Sequence, residues 1–337
     1  MMKTFGTVSL IIVFLGLNNI LFSQEITDSN IAEAVEEDLM FSSAVPGFRI
    51  DVVSNDGVVR LSGTVEDLLA KRKAEEIANT IRGVRGIVNN IETRKTELTD
   101  NEIFKEVKGA LKEDPATEGY AITPKVSNGG VILSGTVNSH QEKLLAEEVV
   151  ANVKGVNNIE NRLQFKADAD RSDYDIQTDI TGMLRSDVRV NDGLVDVRVK
   201  NQKVFLSGKV GSMAEKQKTI DDAWVSGVEN VNASSLEVDP SLSDQQKRSG
   251  KYIKLDDKKV KESVYDALKL DPRVRVANIT VRVNDGDVDL YGSVENLKAK
   301  KSAKATARNV VGALTVENHI DVVPDNTPSS EMLEAKA

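Results

Sequence analysis

The sequence predicts an α+β protein made of four tandem αββαβ sandwiches, each with two helices on one face of a three-stranded mixed sheet. Three observations indicate this fold. A strand that ends in a Leu-x-Gly word occurs four times, a second glycine follows each word at a nearly constant distance, and a helix with an apolar stripe precedes each word. A recurrence at this spacing indicates that one small structural unit occurs four times along the chain.

In each copy, the first predicted element is a helix whose apolar residues fall at positions i, i+4 and i+8. In the first copy these residues are Ile31, Val35 and Leu39. This spacing places them on one side of a helix, where they can face a core. Thr99 with Glu102, and Ser172 with Asp175, have the spacing of a capping box, which marks where a helix begins.

Two alternating strands follow, joined by a tight turn such as Asn55-Asp56-Gly57. Such turns need residues that tolerate positive φ, and asparagine, aspartate and glycine do so best. The third copy has Lys200-Asn201-Gln202-Lys203 at this point. We therefore expect its hairpin to be looser and its register less certain.

The paired glycines enclose a second amphipathic helix, which is one residue short in the third copy. A right-handed crossover through this helix makes the last strand parallel to the second strand. We interpret the glycines as structural positions where the backbone bends or packs closely. A phosphate-binding loop is disfavoured because the chain has no Gly-x-Gly-x-x-Gly word and no Gly-Lys-Ser/Thr word. The pairs are Gly63 and Gly83, Gly135 and Gly155, Gly208 and Gly227, and Gly292 and Gly312.

Seven segments divide the 337 residues: a signal peptide at 1–23, repeat 1 at 26–97, repeat 2 at 98–168, a divergent repeat 3 at 171–239, a linker at 240–254, repeat 4 at 255–324 and a disordered tail at 325–337. The signal peptide is indicated by Lys3, a short apolar run and the small residue Ser23. An uncleaved N-terminal anchor is the alternative. No later segment has 18 consecutive apolar residues, so we expect no transmembrane span in the mature chain. We expect the polar linker to let repeat 4 move against repeat 3.

Composition excludes several kinds of chemistry. The chain has no cysteine, so disulfides, thiolate metal sites and a cysteine nucleophile are impossible. Its two histidines, His140 and His319, lie in different copies, and we expect both at the surface or at a sheet edge. Asp285, Asp287 and Asp289 alternate like the start of a calcium loop, but a solvated strand face is the favoured interpretation. We predict no catalytic residue, no metal and no cofactor.

Charge differs between the repeats. The whole chain carries a net charge of −9, which argues against a nucleic-acid partner. Repeats 1, 2 and 3 are acidic, whereas the segment from Asp244 to Asp325 has a net charge of +3. We predict that these basic residues bind an anionic surface such as lipid headgroups, and the alternative is a solvated lysine-rich face. They are Lys251, Lys254, Lys258, Lys259, Lys261, Lys298, Lys300, Lys301, Lys304 and Arg308.

The strand words, such as Leu61-Ser62-Gly63-Thr64-Val65, and the closing words, such as Gly155-Val156-Asn157-Asn158-Ile159-Glu160-Asn161, resemble those of the BON domain. The pattern of that family is a Val-x-Leu-Ser-Gly-x-Val strand, a helix and then Gly-Val-x-x-Val-x-Asn. This family is named after bacterial osmotic-shock-inducible periplasmic and nodulation proteins. The third copy matches in part, with Ala233 or a neighbour where the closing asparagine belongs. The resemblance covers nearly all of the chain after the signal peptide.

The resemblance implies a periplasmic envelope protein without enzymatic activity, secreted across the inner membrane and related to osmotic or envelope stress. Its implied partners are anionic phospholipid or unfolded envelope proteins, the latter in a chaperone-like role. The alternative is a structural envelope protein that self-associates or binds wall polymer. Because a fold does not fix a function, the choice depends on a site. The sequence leaves the oligomeric state and the arrangement of the repeats open.

Overall fold

The structure is a computed structural model that describes residues 26–94, 97–165, 171–242 and 255–323. The predicted signal peptide, the predicted tail and most of the predicted linker lie outside the described residues, as do Lys251 and Lys254. Within the described residues, each of the four repeats has the predicted αββαβ order.

The helices and strands are numbered in chain order. Repeat 1 contains α1 (Asp28–Phe41), β1 (Ile50–Asn55), β2 (Val58–Val65), α2 (Leu68–Thr80) and β3 (Gly86–Thr93). Repeat 2 contains α3 (Asp100–Glu113), β4 (Ala121–Ser127), β5 (Gly130–Val137), α4 (His140–Ala151), β6 (Asn158–Asn161) and β7 (Gln164–Phe165). Repeat 3 contains α5 (Asp173–Ser186), β8 (Val195–Lys200), β9 (Lys203–Val210), α6 (Met213–Asp222) and β10 (Asn230–Val238). Repeat 4 contains α7 (Asp257–Leu270), β11 (Ile279–Asn284), β12 (Asp287–Val294), α8 (Leu297–Arg308) and β13 (Thr315–Val322).

The first helices begin where the sequence predicts. Thr99 caps α3 in a complete capping box with Glu102, and the Ser172 hydroxyl accepts the N–H of Asp175 at 3.1 Å. The predicted apolar stripe of α1 is buried in the core of repeat 1. Burial of a side chain such as Leu39 stabilises the fold by about 1.5–3 kcal/mol, so three such residues hold each first helix on its sheet.

The predicted mixed sheet is confirmed. In repeats 1, 3 and 4 the hairpin strands are antiparallel and the last strand lies parallel to the second. Repeat 2 has the same order, but its last strand is split into β6 and β7. One face of each sheet packs on the two helices. The other face of the sheet in repeat 1 leaves Val53 and Val58 exposed.

The prediction of a looser hairpin in repeat 3 is wrong. β8 and β9 pair from Val195 with Gly208 to Lys200 with Lys203, the same register as in repeats 1 and 4. The turn keeps its shape because Asn201 and Gln202 adopt φ values of 51° and 60°. The irregularity lies instead in β10, whose register against β9 shifts between Asn232 and Ser235, at the position of the missing asparagine.

Repeat 4 is packed against repeat 3, contrary to the expectation that the linker lets it move. The N–H of Val188 donates to the carbonyl of Asn309 at 3.0 Å, and the N–H of Val311 donates to the carbonyl of Ser186 at 2.7 Å. The linker composition could not show this, because the contacts join residues more than 100 positions apart. Among the described residues, no helix is long and apolar enough to cross a bilayer.

Candidate functional site

A carboxylate at the first position of the first helix holds the hairpin turn in every repeat. In repeat 1, Asp28 accepts the N–H groups of Asp56 at 2.8 Å and Gly57 at 2.9 Å. A hydrogen bond from Ser54, followed by the one from Gly57, lowers the pKa of Asp28. The same pair of bonds recurs at Asp100, Asp173 and Asp257.

The first glycine of each pair is required by a close backbone approach. Gly292 has φ +126°, and a Cβ there would lie 1.9 Å from the carbonyl oxygen of Asn278. Gly63, Gly135 and Gly208 have the same surroundings, with a neighbouring carbonyl oxygen 2.0–2.2 Å from the Cβ position. The second glycines follow the second helix and have φ values between +89° and +102°. The first glycines therefore allow a close backbone approach, and the second glycines allow a positive φ after the helix.

The strongest concentration of positive charge in the described residues lies on α8. This helix has five basic residues and no acidic residue. Its buried stripe is Ala299, Ala303 and Ala307. Small side chains let the helix lie close to the sheet, with the lysines directed away from it. Lys301, Lys304 and Arg308 are exposed, and their i, i+3, i+7 spacing places them on one face of the helix.

The basic residues of α7 are arranged differently. Lys258, Lys259 and Lys261 are exposed, but acidic residues are interspersed among them. The Lys258 ammonium lies 3.9 Å from the Glu262 carboxylate. Since neighbouring opposite charges cancel at a distance, the field of α7 toward a ligand is weaker than that of α8.

One predicted residue is directed to another repeat. The Lys298 ammonium lies 3.4 Å from the carboxylate of Asp114 in repeat 2, which is also 3.3 Å from the guanidinium of Arg273. Asp114 is buried, so these contacts compensate its charge. Lys298 therefore belongs to the interface between repeats 2 and 4. Lys300 is half-buried, and its backbone carbonyl accepts a hydrogen bond from Asn318 at 2.7 Å.

The sequence model of the family described as "BON domain" matches this chain four times, at residues 27–95, 99–167, 172–240 and 256–324. The chain belongs to the BON domain family. The predicted resemblance is thus confirmed, and the four structural repeats are its four BON repeats.

Among curated proteins, the chain is similar to the osmotically-inducible protein Y of Escherichia coli (strain K12). The two are 28% identical over 146 residues, which is 41% of this chain and 73% of that protein. Two solved structures also match, one of CdsD, a structural protein of the type III secretion system of Chlamydia trachomatis, and one of its C-terminal domain. They are 16% and 15% identical to this chain, cover 60% and 64% of it and 90% and 100% of their own lengths, and both have a TM-score of 0.17.

His140 is half-buried in a junction between two repeats, which the prediction of a surface or edge histidine did not include. It is the first residue of α4 in the second BON repeat, and its ring stacks on Trp224 of the third repeat with centroids 3.7 Å apart. Phe165 meets both rings edge to face. Burial, followed by repulsion from Lys143, lowers the pKa of His140 to about 4. The imidazole is therefore neutral in this junction at neutral pH.

His319 lies on β13, at the edge of the sheet of the fourth BON repeat, as predicted, and it is 44% exposed. The two carboxylates that surround it were not predicted. Its Nε2 atom is 3.2 Å from an Asp289 carboxylate oxygen and 3.4 Å from a Glu317 carboxylate oxygen. Asp287, by contrast, accepts the hydroxyl of Thr315 at 2.6 Å.

The turn-holding aspartates were also missed, although they left a signal. In each BON repeat the aspartate precedes the second turn residue by 29 positions. An acidic residue at a fixed distance before every hairpin would have indicated them.

The closing asparagine that repeat 3 lacks also makes a fixed contact in the other repeats. Asn89, Asn161 and Asn318 each donate to a carbonyl of the second helix, and repeat 3 has the β10 irregularity at this point.

Proposed function

We propose that this BON-domain protein acts without catalysis in the periplasm, in the response to osmotic or envelope stress, and that α8 binds it to anionic phospholipid. The observation that carries the proposal is a helix with five basic residues, no acidic residue and three exposed cations on one face. Similarity to an osmotically inducible protein supports the stress assignment. Binding of unfolded clients and self-association on wall polymer stay predictions.

Charge arithmetic supports α8 as the contact. Each Lys or Arg near an anionic bilayer contributes about 1 kcal/mol, so the three exposed cations together contribute about 3 kcal/mol. The second helices of the other repeats carry acidic residues among their basic residues. The helix α4, for example, carries Glu142, Glu147 and Glu148 against Lys143. Repeats 1, 2 and 3 are acidic overall, and we infer that they lie away from the lipid.

The test is co-sedimentation of the full chain with vesicles of anionic phospholipid and with vesicles of neutral phospholipid. The variant Lys301→Glu/Lys304→Glu/Arg308→Glu should bind anionic vesicles at least 100-fold more weakly, because about 3 kcal/mol of attraction is lost. Wild-type binding should weaken steeply between about 0.1 M salt, where the Debye length is about 10 Å, and about 1 M salt, where it is about 3 Å.

The matched control is Lys105→Glu/Lys108→Glu/Lys112→Glu on α3. These lysines are exposed and have the same i, i+3, i+7 spacing, so the variant makes the same change in net charge. It should bind nearly as well as the wild type, because α3 also carries Glu102, Glu106 and Glu113. Equal losses in the two variants would reduce the effect to net charge and would contradict α8 as the binding surface.

A further inference from the structure

The outer face of the sheet in repeat 4 brings together three side chains that can bind a metal. β12 and β13 are parallel neighbours, with Asp289 paired with Glu317 and Tyr291 paired with His319. The intervening residues Val288 and Leu290 point into the core. Because side chains alternate along a strand, Asp289, Glu317 and His319 all lie on the outer face.

The His319 nitrogen lies at distances from the two carboxylates that are close to those between ligands of one metal ion. One carboxylate oxygen from each acid and the His319 imidazole nitrogen all lie within 4.8 Å of one another. The distances from Nε2 are 3.2 Å to Asp289 and 3.4 Å to Glu317. In a tetrahedral zinc site with bonds of about 2.0–2.2 Å, two ligand atoms are about 3.3–3.6 Å apart. The two distances from Nε2 are close to this value, and the two carboxylate oxygens lie within 4.8 Å of each other.

The imidazole of His319 is already held in place. The ring stacks on Tyr291 with centroids 4.9 Å apart and planes 15° from parallel, and the Arg282 guanidinium lies 4.9 Å from the Tyr291 ring centroid. A ring restrained by stacking loses less conformational freedom when it binds a ligand. The strand backbone likewise fixes the positions from which the two carboxylates project.

Two carboxylates face each other at this point, and Arg282 of β11, which pairs with Asp289, has its guanidinium over the Tyr291 ring. When the imidazole is neutral, Asp289 and Glu317 are two like charges directly opposite on neighbouring strands, an arrangement that destabilises a sheet. A divalent ion compensates both carboxylates and binds the neutral imidazole through its lone pair. We propose that Asp289, Glu317 and His319 bind a divalent transition-metal ion of the Zn²⁺ class on the outer face of repeat 4, with water in the remaining positions.

The other repeats provide a natural comparison. At the equivalent register positions repeat 1 has Arg60, Val88 and Asn90. None of these can bind a divalent cation as a carboxylate or imidazole does. The three ligands are therefore an addition to the shared fold rather than a part of it. Their loss should leave the sandwich intact, because repeat 1 forms the same sheet without them.

The test is titration of the full chain with ZnCl₂. Calorimetry measures the affinity, and NMR of the histidine rings shows which ring binds the ion. The chain has two histidines, so each ring signal can be assigned. We expect the His319 ring signal to shift with added Zn²⁺ while that of His140 stays in place. His319→Asn and Glu317→Val, which introduce the residues of repeat 1, should each weaken Zn²⁺ binding at least tenfold.

The control is Asp51→Asn, which removes an exposed carboxylate from the outer face of repeat 1, where Asp51 pairs with Ser62. This variant should bind Zn²⁺ like the wild type. The proposal is overturned if His319→Asn keeps wild-type affinity, if the His319 signal does not respond, or if Asp51→Asn weakens binding as much as His319→Asn. Circular dichroism of each variant separates lost binding from lost folding.

Discussion

Repeats 3 and 4 have the same fold, but they use their second helices in opposite ways. The helix α6 buries Glu215, Thr219 and Asp222, whereas α8 buries alanines and exposes basic side chains. The buried carboxylate of Glu215 is satisfied by the N–H groups of Asn191 at 2.9 Å and Gly211 at 2.8 Å. The sandwich is thus a constant scaffold, and the two second helices differ in which side chains they bury and which they expose.

The polar residues of α6 belong to a charged cluster at the boundary of repeat 3. Burial raises the pKa of Asp222 to about 7, against the attraction of Lys218. Burial also opposes ionisation of Asp187, but hydrogen bonds from Arg189 and attraction to Lys218 outweigh it and lower that pKa. Asp222 and Asp187 line a cavity of about 270 Å³ that also borders Thr306 of repeat 4. α6 thus contributes buried polar side chains, whereas α8 borders this cavity at Thr306 and exposes Lys301, Lys304 and Arg308.

The largest expected effect tests the scaffold that both repeats share. A Cβ at Gly208 would lie 2.1 Å from the carbonyl oxygen of Leu194, and the strand cannot move without losing its pairing. Gly208→Ala should therefore destabilise repeat 3 by about 3 kcal/mol or more. Urea unfolding followed by the fluorescence of Trp224, the single tryptophan of the chain, measures this.

Gly182→Ala is the matched control, because it makes the same substitution in the same repeat. Gly182 lies in α5, and a Cβ there meets nothing within 4 Å. Alanine should raise stability by about 0.5–1 kcal/mol through its better helix propensity. If both variants unfolded at the wild-type urea concentration, the structural role assigned to the first glycines would be wrong.

A smaller effect, dependent on pH, tests the junction in which His140 of repeat 2 stacks on Trp224 of repeat 3. The pKa of His140 is about 4 in the folded protein and about 6.5 when the ring is free in water. As pH falls from about 6.5 toward 4, the unfolded chain takes up this proton before the folded chain does. The stability that the neutral ring supplies is therefore fully present above pH 6.5 and is lost as pH falls.

His140→Phe should remove this part of the pH dependence, since phenylalanine keeps an aromatic ring against Trp224 and does not titrate. Asp222 has the opposite sign. Its raised pKa means that its contribution is present at low pH and declines as pH rises toward 7. The measurement is the difference between wild type and His140→Phe in the urea midpoint at pH 7.5 and at pH 5. The same difference in urea midpoint at pH 7.5 and at pH 5 would contradict the prediction.

The smallest expected effect exchanges the turn residues of the two repeats. Gln202 is held at φ 60° where repeat 4 has Gly286 at φ 87°. Gln202→Gly should stabilise repeat 3 by about 0.5–1 kcal/mol, because glycine adopts this conformation without steric cost. Gly286→Gln should destabilise repeat 4, where a Cβ would lie 2.9 Å from the carbonyl oxygen of Gly312. Thermal unfolding measures the stability of both variants. If both were less stable than the wild type, Gln202 would be the favoured residue in its own turn.

The sequence predicted the elements that depend on neighbouring residues. The apolar stripe of α3, the capping box at Thr99 and the glycine turns all occur where local spacing indicated them. The hairpin of repeat 3 was predicted wrongly, because Asp173 holds the turn through bonds to Asn201 and Gln202 from 28 and 29 positions away. A reading of turn residues alone does not include that distant carboxylate.

The candidate sites likewise include features that the sequence shows and contacts that only the structure shows. The basic character of α8 is visible in the sequence, since a run of lysines needs no partner to be recognised. The assignment of Lys298 to Asp114, the burial of His140 on Trp224 and the grouping of Asp289 with His319 are not visible. Each joins residues that lie 30 to 184 positions apart in the chain.

The chain's own residues determine four αββαβ sandwiches, because helix periodicity, turn chemistry and paired glycines are local properties that recur with each copy. Tertiary structure decides which repeat touches which, which charges are buried and which carboxylates meet a histidine. Those outcomes depend on strand register and on packing between distant segments, where a shift of one residue moves a side chain to the other face.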